Sequence, residues 1–335
     1  MHVGKSYRLS EFVVWTRREI YILLAWGLVP VGLYQLLGLK WLAIPWTVAG
    51  LIGTATAFIV GFKNTQTYNR TVEAQQVWGA ILNASRAWAV MSRDFLKNGD
   101  DARQLVMRHI AWATALRYQL RKPRLWESMH GSANAEYQAF YSIPEREAPL
   151  ESELAKYLSA DELAYVLAAK NKPTRLLGLQ SRALKASYES GAIPINFFVE
   201  MEKGIKEFFD YQGKSTRIKN FPYPRQYAII STIFVRAFCV LLPFGLLKEF
   251  DALNLVTTGW LRGYMIWFVV PFSAVISWMY MALMQVGEST ENPFEGNAND
   301  VPISQISRMM EIEMRDLLGE TDLPPLLQPK NGIIL

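Results

Sequence analysis

Apolar residues are unevenly spread along the chain. Four stretches run almost without charge, and the remainder mixes polar and apolar positions. The first reaches from about Ile20 to Leu39 and the second from Trp41 to Phe62. The third extends from about Tyr227 to Leu247 and the fourth from Tyr264 to Val286. Each approaches the ~20 apolar residues that carry a helix across the hydrocarbon core of a bilayer. One such run also suits a buried core helix. Four of them, with Lys40 alone between the first two, predict membrane spans, the first pair folded as a tight hairpin. Arg236 interrupts the third run. A charge there is costly in lipid, and two readings stand: a contact inside the bundle, or snorkelling to the interface.

Between the second and third runs, residues 63 to 226 read as amphipathic helices. Residues 66 to 95 hold no Pro and one Gly, which predicts that the second span continues as helix well past the membrane. Further helical periods fall near 101 to 120, 151 to 169 and 174 to 188. Ser159 and Glu162 have the spacing of a capping box. Scattered Pro, Gly and Ser between Lys122 and Pro149 predict a surface loop. Pro194 suits the first turn of a helix running to about Thr216, and Phe221-Pro-Tyr-Pro224 breaks the chain before the third span. Past the fourth span, Ile306, Met310, Met314 and Leu317 share one side of a helix over 304 to 318. No strand pattern or useful internal repeat is visible. The predicted fold is all-α, with four spans and a large polar helical region.

The second span carries two adjacent rows. Ala49, Gly53, Ala57 and Gly61 recur every four residues, and such small side chains let helix backbones approach closely in lipid. Thr54, Phe58 and Phe62 form the neighbouring row, about 100° away. If the small row packs on another helix, the aromatic row faces a shared lumen and forms an apolar constriction. The other reading places these rings in lipid or in the bundle core.

Composition fits a membrane chain. Apolar residues make up 51% of it and charged residues 19%, below the roughly 25% of soluble domains. The net charge of +5 is too modest to signal nucleic acid, and its placement is more telling. Lys5, Arg8, Arg17 and Arg18 precede the first span, with Glu11 and Glu19 among them. Many more Lys and Arg lie between the second and third spans, whereas the short turns on the other side hold few. The basic residues therefore predict cytoplasmic termini and a cytoplasmic middle region. No cleavable leader is evident, and the first apolar run reads as an anchor. His2, His109 and His130 are isolated and the single cysteine, Cys239, lies within a span, so neither a metal centre nor a disulfide is indicated. No nucleophile elbow, paired carboxylates or phosphate-cradling glycine loop stands out, which argues against an enzyme and against nucleotide-driven transport.

Gly61 to Gly79, GFKNTQTYNRTVEAQQVWG, resembles the stretch after the second span of bestrophins, in Gly61-Phe62, Asn64, Tyr68, Arg70, Glu73, Trp78 and Gly79. Glu291-Asn292-Pro293-Phe294-Glu295-Gly296 is similar to that family's Asn-Pro-Phe signature, with Asp300 and Pro302 following. Gln212, Gly213, Arg217, Ile218 and Pro222/Pro224 fit the approach to the third span. The resemblance covers essentially the whole chain. It implies a homopentameric ion channel of the plasma membrane (the inner membrane of a bacterium), with one axial pore, no cofactor and no catalysis. Carried over by residue, the pore neck is Thr54, Phe58 and Phe62, which favours the lumen reading of that row, and Lys63 is a charge at the pore entrance. The lower aperture falls on Ile195, with Asn196 as the alternative. Arg70, Glu73, Asn292, Pro293 and Phe294 are structural motif residues, and the strap analogy places the carboxy-terminal helix across a neighbouring subunit, a plain surface helix being the other reading.

Three departures qualify this. The first neck position is usually apolar, whereas here it is Thr54. Thr71 and Val72 follow Arg70 where the family often has Trp-Trp. Animal members bind calcium through an acidic run after Asn-Pro-Phe, but here only Glu295 and Asp300 stand among Asn297 and Asn299, so no metal is expected. Inward Phe edges and the basic excess favour chloride and other monovalent anions, while inward ring faces would favour Na+ or K+. The family includes both kinds. A transporter or a non-conducting scaffold is a further alternative.

Overall fold

The computed structural model describes residues 1–4, 7, 9–127 and 138–335. Lys5, Arg8 and His130 lie outside these residues, as does the middle of the loop expected between Lys122 and Pro149. Among the described residues the chain is helical, with isolated β-bridges and no strand. The helices of eight residues or more are α1 (Leu9–Gln35), α2 (Trp46–Phe95), α3 (Gly99–Leu120), α4 (Ala160–Leu167) and α5 (Lys172–Glu189). They continue with α6 (Ile195–Asn220), α7 (Arg225–Ala252), α8 (Val269–Thr290) and α9 (Ile303–Leu317).

Contacts divide the chain into two units. One holds Met1–Lys5, Arg70–Phe221 and Asn292–Leu335; the other holds Ser6–Asn69 and Pro222–Glu291. Helix α2 contributes to both, because it runs unbroken for 50 residues, as the missing Pro predicted.

Among the described residues three helical stretches are long and apolar enough to cross a membrane: Lys40–Phe95, Arg225–Leu255 and Met265–Thr290. The first expected span falls short of this measure. Helix α1 stops at Gln35, and its uncharged part begins only after Arg17, Arg18 and Glu19. It nevertheless packs closely on α8: a Cβ on Gly27 would lie 3.4 Å from Val270 Cα, and Trp278 Nε1 donates to Thr16 Oγ1 at 2.8 Å. Gly38, at a φ of 69°, turns the chain out of α1 before a short 3-10 turn over Lys40–Leu42. Polar side chains tie the helices where apolar burial cannot. Trp26 Nε1 donates to Val240 O at 3.2 Å and Tyr280 Oη to Gly53 O at 3.1 Å.

In the first unit α3 is the central helix. The 101 to 120 period promised one apolar face, but residues 105 to 117 are buried without interruption. Ala111, Ala113 and Ala115 leave room for α5, α6 and α9 to close around it. Trp78, Trp88, Trp112 and Phe208 fill the core beside it. His109 sits among these rings, its Nε2 2.8 Å from Ser85 Oγ, and burial pulls its pKa down to about 3, so the imidazole is neutral.

The helix expected over 151 to 169 is two pieces, Leu150–Leu154 and α4. The capping box explains the break. Glu162 N donates to Ser159 Oγ at 3.4 Å and Ser159 N to Glu162 Oε2 at 3.5 Å, which starts a new helix at Ala160. Pro194 caps α6 from just outside its first turn, and that helix continues to Asn220.

The contact of α2 with α7 is the tightest test of this packing. A Cβ on Gly245 would lie 2.7 Å from Ala49 Cβ, with no flexible end to yield. Gly245→Ala should destabilise the protein by about 1–3 kcal/mol, as overpacking does. Ala49→Gly on that background should restore the thermal midpoint in detergent; a double variant no better than the single would show that these positions do not meet.

Candidate functional site

Both rows of α2 can be placed. In the small row, Ala49 is buried against Gly245, and Gly53 is buried where a Cβ would meet the Phe238 ring at 2.7 Å. Ala57 and Gly61 are exposed, and nothing lies within 4 Å of a Cβ built on Gly61. The upper half of the row therefore packs on α7 within the protomer, while the lower half is open. In the neighbouring row Thr54 is exposed, Phe58 is 75% exposed and Phe62 56% exposed. Two large rings thus stand outward on one stretch of helix. Thr54 Oγ1 donates to Gly50 O at 3.0 Å, which leaves its lone pairs facing out with the rings.

Lys63 departs from its expected place as an entrance charge. Its side chain is only 1% exposed, and Nζ lies 3.9 Å from Glu288 Oε1. One residue of rotation after Phe62 turns it by about 100°, onto the packed side of the helix. Asn64 beside it donates to Leu283 O at 3.0 Å. Arg236 is exposed on α7, so within the protomer it makes no interior contact.

In the first unit Ile195, the first residue of α6, is 53% exposed, and Asn196 is exposed beside it. Arg70 Nη2 donates to Ile218 O at 2.8 Å, and Glu73 pairs with Arg217. These two motif residues dock α2 onto the end of α6.

The Asn-Pro-Phe segment is buried throughout. Phe294 belongs to the core around α3. Val301 N donates to Pro293 O at 3.2 Å, closing the segment into a loop in which Gly296 takes a φ of 103°. Asp300 caps it, accepting from Gly296 N at 2.6 Å. Glu295 is buried and accepts from Asn297. The two acidic candidates are therefore engaged in holding the loop. Among the described residues no group of three or more His, Cys, Asp or Glu side chains is disposed to hold a metal ion.

Sequence reasoning missed the ionic layer beneath this loop. Arg121 Nη1 lies 3.3 Å from Asp300 Oδ2, and its Nε lies 3.4 Å from Glu145 Oε2. Glu145 also pairs with Arg117 and accepts from Ser304 Oγ at 2.5 Å. Glu145 is held below the usual carboxylate range: burial raises it, but the two guanidinium groups and the hydroxyl outweigh that. Lys219 and Glu127 form a second buried pair, with burial pulling the amine down. The one available hint was Arg117 and Arg121, four residues apart at the end of a helix whose middle, Ile110 to Leu116, is free of charge.

These features define an all-α protein with helices built to cross a membrane and a separate polar helical unit. The model of the bacterial and fungal bestrophin proteins matches residues 12–316, and the chain belongs to the bestrophin family. It is 27% identical over 297 residues to the voltage-dependent anion channel-forming protein YneE of Escherichia coli, covering 88% of this chain and 83% of that one. The protein of the same name from Salmonella typhi is 27% identical over 306 residues, covering 91% and 84%. A bacterial bestrophin homologue from Klebsiella pneumoniae superposes with a TM-score of 0.74 at 22% identity, over 92% of this chain and 98% of that one. That likeness shows a shared fold.

Burial lifts the Asp300 carboxyl from 3.8 to about 6, against the pull of Arg121 and the Gly296 amide. As pH rises from about 4 to about 6, the unfolded chain loses this proton before the folded one, so stability falls across that window. Asp300→Asn cannot ionise. Its thermal midpoint relative to the native chain should move in its favour between about pH 4.5 and about pH 7. A gap that does not change with pH would contradict a buried, reluctantly ionised acid at this position.

Proposed function

We propose that this chain is one subunit of a homopentameric channel that passes monovalent anions, chloride foremost, passively across the plasma membrane. The observation that carries the reading is the pair of exposed rings, Phe58 and Phe62, on a helix that packs against α7 through Ala49 and Gly53. In a pentamer, five copies of that row converge on an axis and form a narrow apolar neck, with Thr54 at its mouth. Ring edges carry partial positive charge and meet a partly dehydrated anion favourably. The names of the relatives, voltage-dependent anion channel-forming proteins, support the same sign. Ile195, exposed at the start of α6, serves as the lower aperture, with Asn196 beside it.

In this reading α1 joins α2, α7 and α8 as a fourth membrane helix, seated against α8 although its apolar part is short. The termini and the first unit are cytoplasmic, as the basic residues before α1 suggest. Lys63, buried against Glu288, has a structural part and is no entrance charge. The carboxy-terminal helix α9 straps a neighbouring subunit.

One observation favours the cation alternative. With its hydrogen donated to Gly50 O, Thr54 Oγ1 offers only lone pairs to the row, which suits a cation better than an anion. The sign of the reversal potential in a chloride gradient decides: purified protein in planar bilayers should reverse towards the chloride equilibrium potential.

Phe58→Ala with Phe62→Ala should raise unitary conductance by on the order of a few-fold and relax selectivity, because the apolar constriction widens. Unaltered currents would remove these rings from the pore wall. Micromolar calcium should leave wild-type currents unchanged, since Asp300 and Glu295 are occupied within their loop; a calcium response abolished by Glu295→Ala would reverse that view.

A further inference from the structure

The first unit contains a cavity of about 500 Å³ outside the row and loop described above. It lies between the carboxy-terminal end of α3, the Glu145–Leu150 stretch and the amino-terminal end of α5. Its lining has an uneven charge. Among the described residues Arg121, Lys122, Arg124, Arg146, Lys170 and Lys172 all border it, against one acidic residue, Glu145. That carboxylate is already committed to Arg117, Arg121 and Ser304.

Two of the cations donate to neutral groups. Arg124 donates through Nε and Nη2 to Asn220 Oδ1, at 3.1 and 2.8 Å. Lys172 Nζ donates to Ala169 O at 3.2 Å. Lys122 and Lys170 make no ion pair with another described residue. At the back of the cavity Arg121 is almost fully buried, and its Nη2 makes no hydrogen bond. A buried guanidinium donor without an acceptor is costly, because nothing replaces the water it has lost. The amino-terminal end of α5 adds the positive end of a helix dipole to the same wall.

Between these charges the walls are apolar: Ala115, Pro123, Leu150 and Pro173 line the same space. Chloride alone would leave that surface unused. The volume falls within the roughly 300–1,000 Å³ of small-molecule sites. A ligand that satisfies both features has a carbon skeleton for the apolar walls and at least two negative charges for the cationic rim. Phosphate oxygens accept the forked donors of Arg well and Lys as point charges.

We propose that this cavity binds a soluble organic phosphate carrying two or more negative charges, with Lys170 and Lys172 as primary contacts at its mouth. Because Arg121 also reaches Asp300, an anion that engages Arg121 acts directly on the residue that closes the Asn-Pro-Phe loop. The cavity is thereby a place where a metabolite alters that loop from inside the first unit.

The test is isothermal titration calorimetry on the full-length protein in detergent, with ADP as the probe and adenosine as its uncharged control. ADP should bind saturably at one site per chain and adenosine should not bind. Lys170→Ala with Lys172→Ala should weaken ADP at least tenfold, while Lys170→Arg with Lys172→Arg retains it. Lys203→Ala, on α6 where Lys203 pairs with Glu200 at 3.0 Å, should leave it unchanged. Size-exclusion profiles check that each variant keeps its fold, and Lys170→Ala alone serves if the double variant aggregates.

No saturable heat at millimolar ADP overturns the proposal. Equal weakening by Lys203→Ala does so too, since it would reveal diffuse surface charge. A parallel arm uses vesicles containing phosphatidic acid: binding to these alone would assign the cavity to a lipid headgroup and refute a soluble ligand. The readout is binding and involves no current, so its failure is distinct from failure of the channel reading.

Discussion

In a hydrocarbon solvent, burying one more leucine gains little, because lipid is as apolar as the neighbouring helix; close approach of backbones and a few polar ties must hold the helices together. Here that constraint is met where α2 crosses α7. Ala49 lies against Gly245, and Gly53 faces the Phe238 ring, at separations that leave no space for a further methyl. This contact fixes the rotation of α2 about its own axis. Once it is fixed, Thr54, Phe58 and Phe62 must point out of the protomer, and Lys63 must turn inward to Glu288. The candidate site is thus the far side of a packing decision made by small residues.

The first unit is organised differently. Water surrounds it in the proposed setting, so apolar burial drives its folding, and α3 is enclosed by its neighbours along most of its length. Within that core runs the layer of Arg117, Arg121, Glu145 and Asp300, drawn from three separate parts of the chain. Buried ion pairs contribute little net stability, but losing one partner strands the other charge at a cost of several kcal/mol. Such a layer therefore specifies which segments meet. It joins α3 to the loop that carries the Asn-Pro-Phe motif, and it places one guanidinium on the wall of a cation-lined cavity.

Much of this was legible in the amino-acid sequence, for identifiable reasons. Periodicity and the absence of Pro predicted the length of α2, because helix continuity is a local property. Pro194 marked the start of α6, and Phe221 to Pro224 the break before α7, for the same reason. The Ser159–Glu162 cap was also local, and it overruled the single helix read across 151 to 169, since a cap begins a helix and cannot sit inside one. By contrast, Lys63 was misjudged because its environment depends on α8, more than two hundred residues later. The first apolar run was read to Leu39 while α1 ends at Gln35, because an apolar run does not reveal where the helix within it stops. The ionic layer was invisible because its members gain meaning only once distant segments meet.

The sequence by itself determined the all-α class, the apolar spans, the two rows on α2 and membership of a family recognisable from Asn-Pro-Phe and the Gly61–Gly79 stretch. These follow from local propensity, hydrophobic period and side-chain size, which neighbouring residues encode. Only the tertiary structure decided which half of the small row is packed, that Phe58 and Phe62 are left outward, that Asp300 and Glu295 are occupied within their own loop, and that six cations share one cavity. Those facts arise from contacts between residues far apart in the chain, and no local pattern carries the rotation of one helix against another.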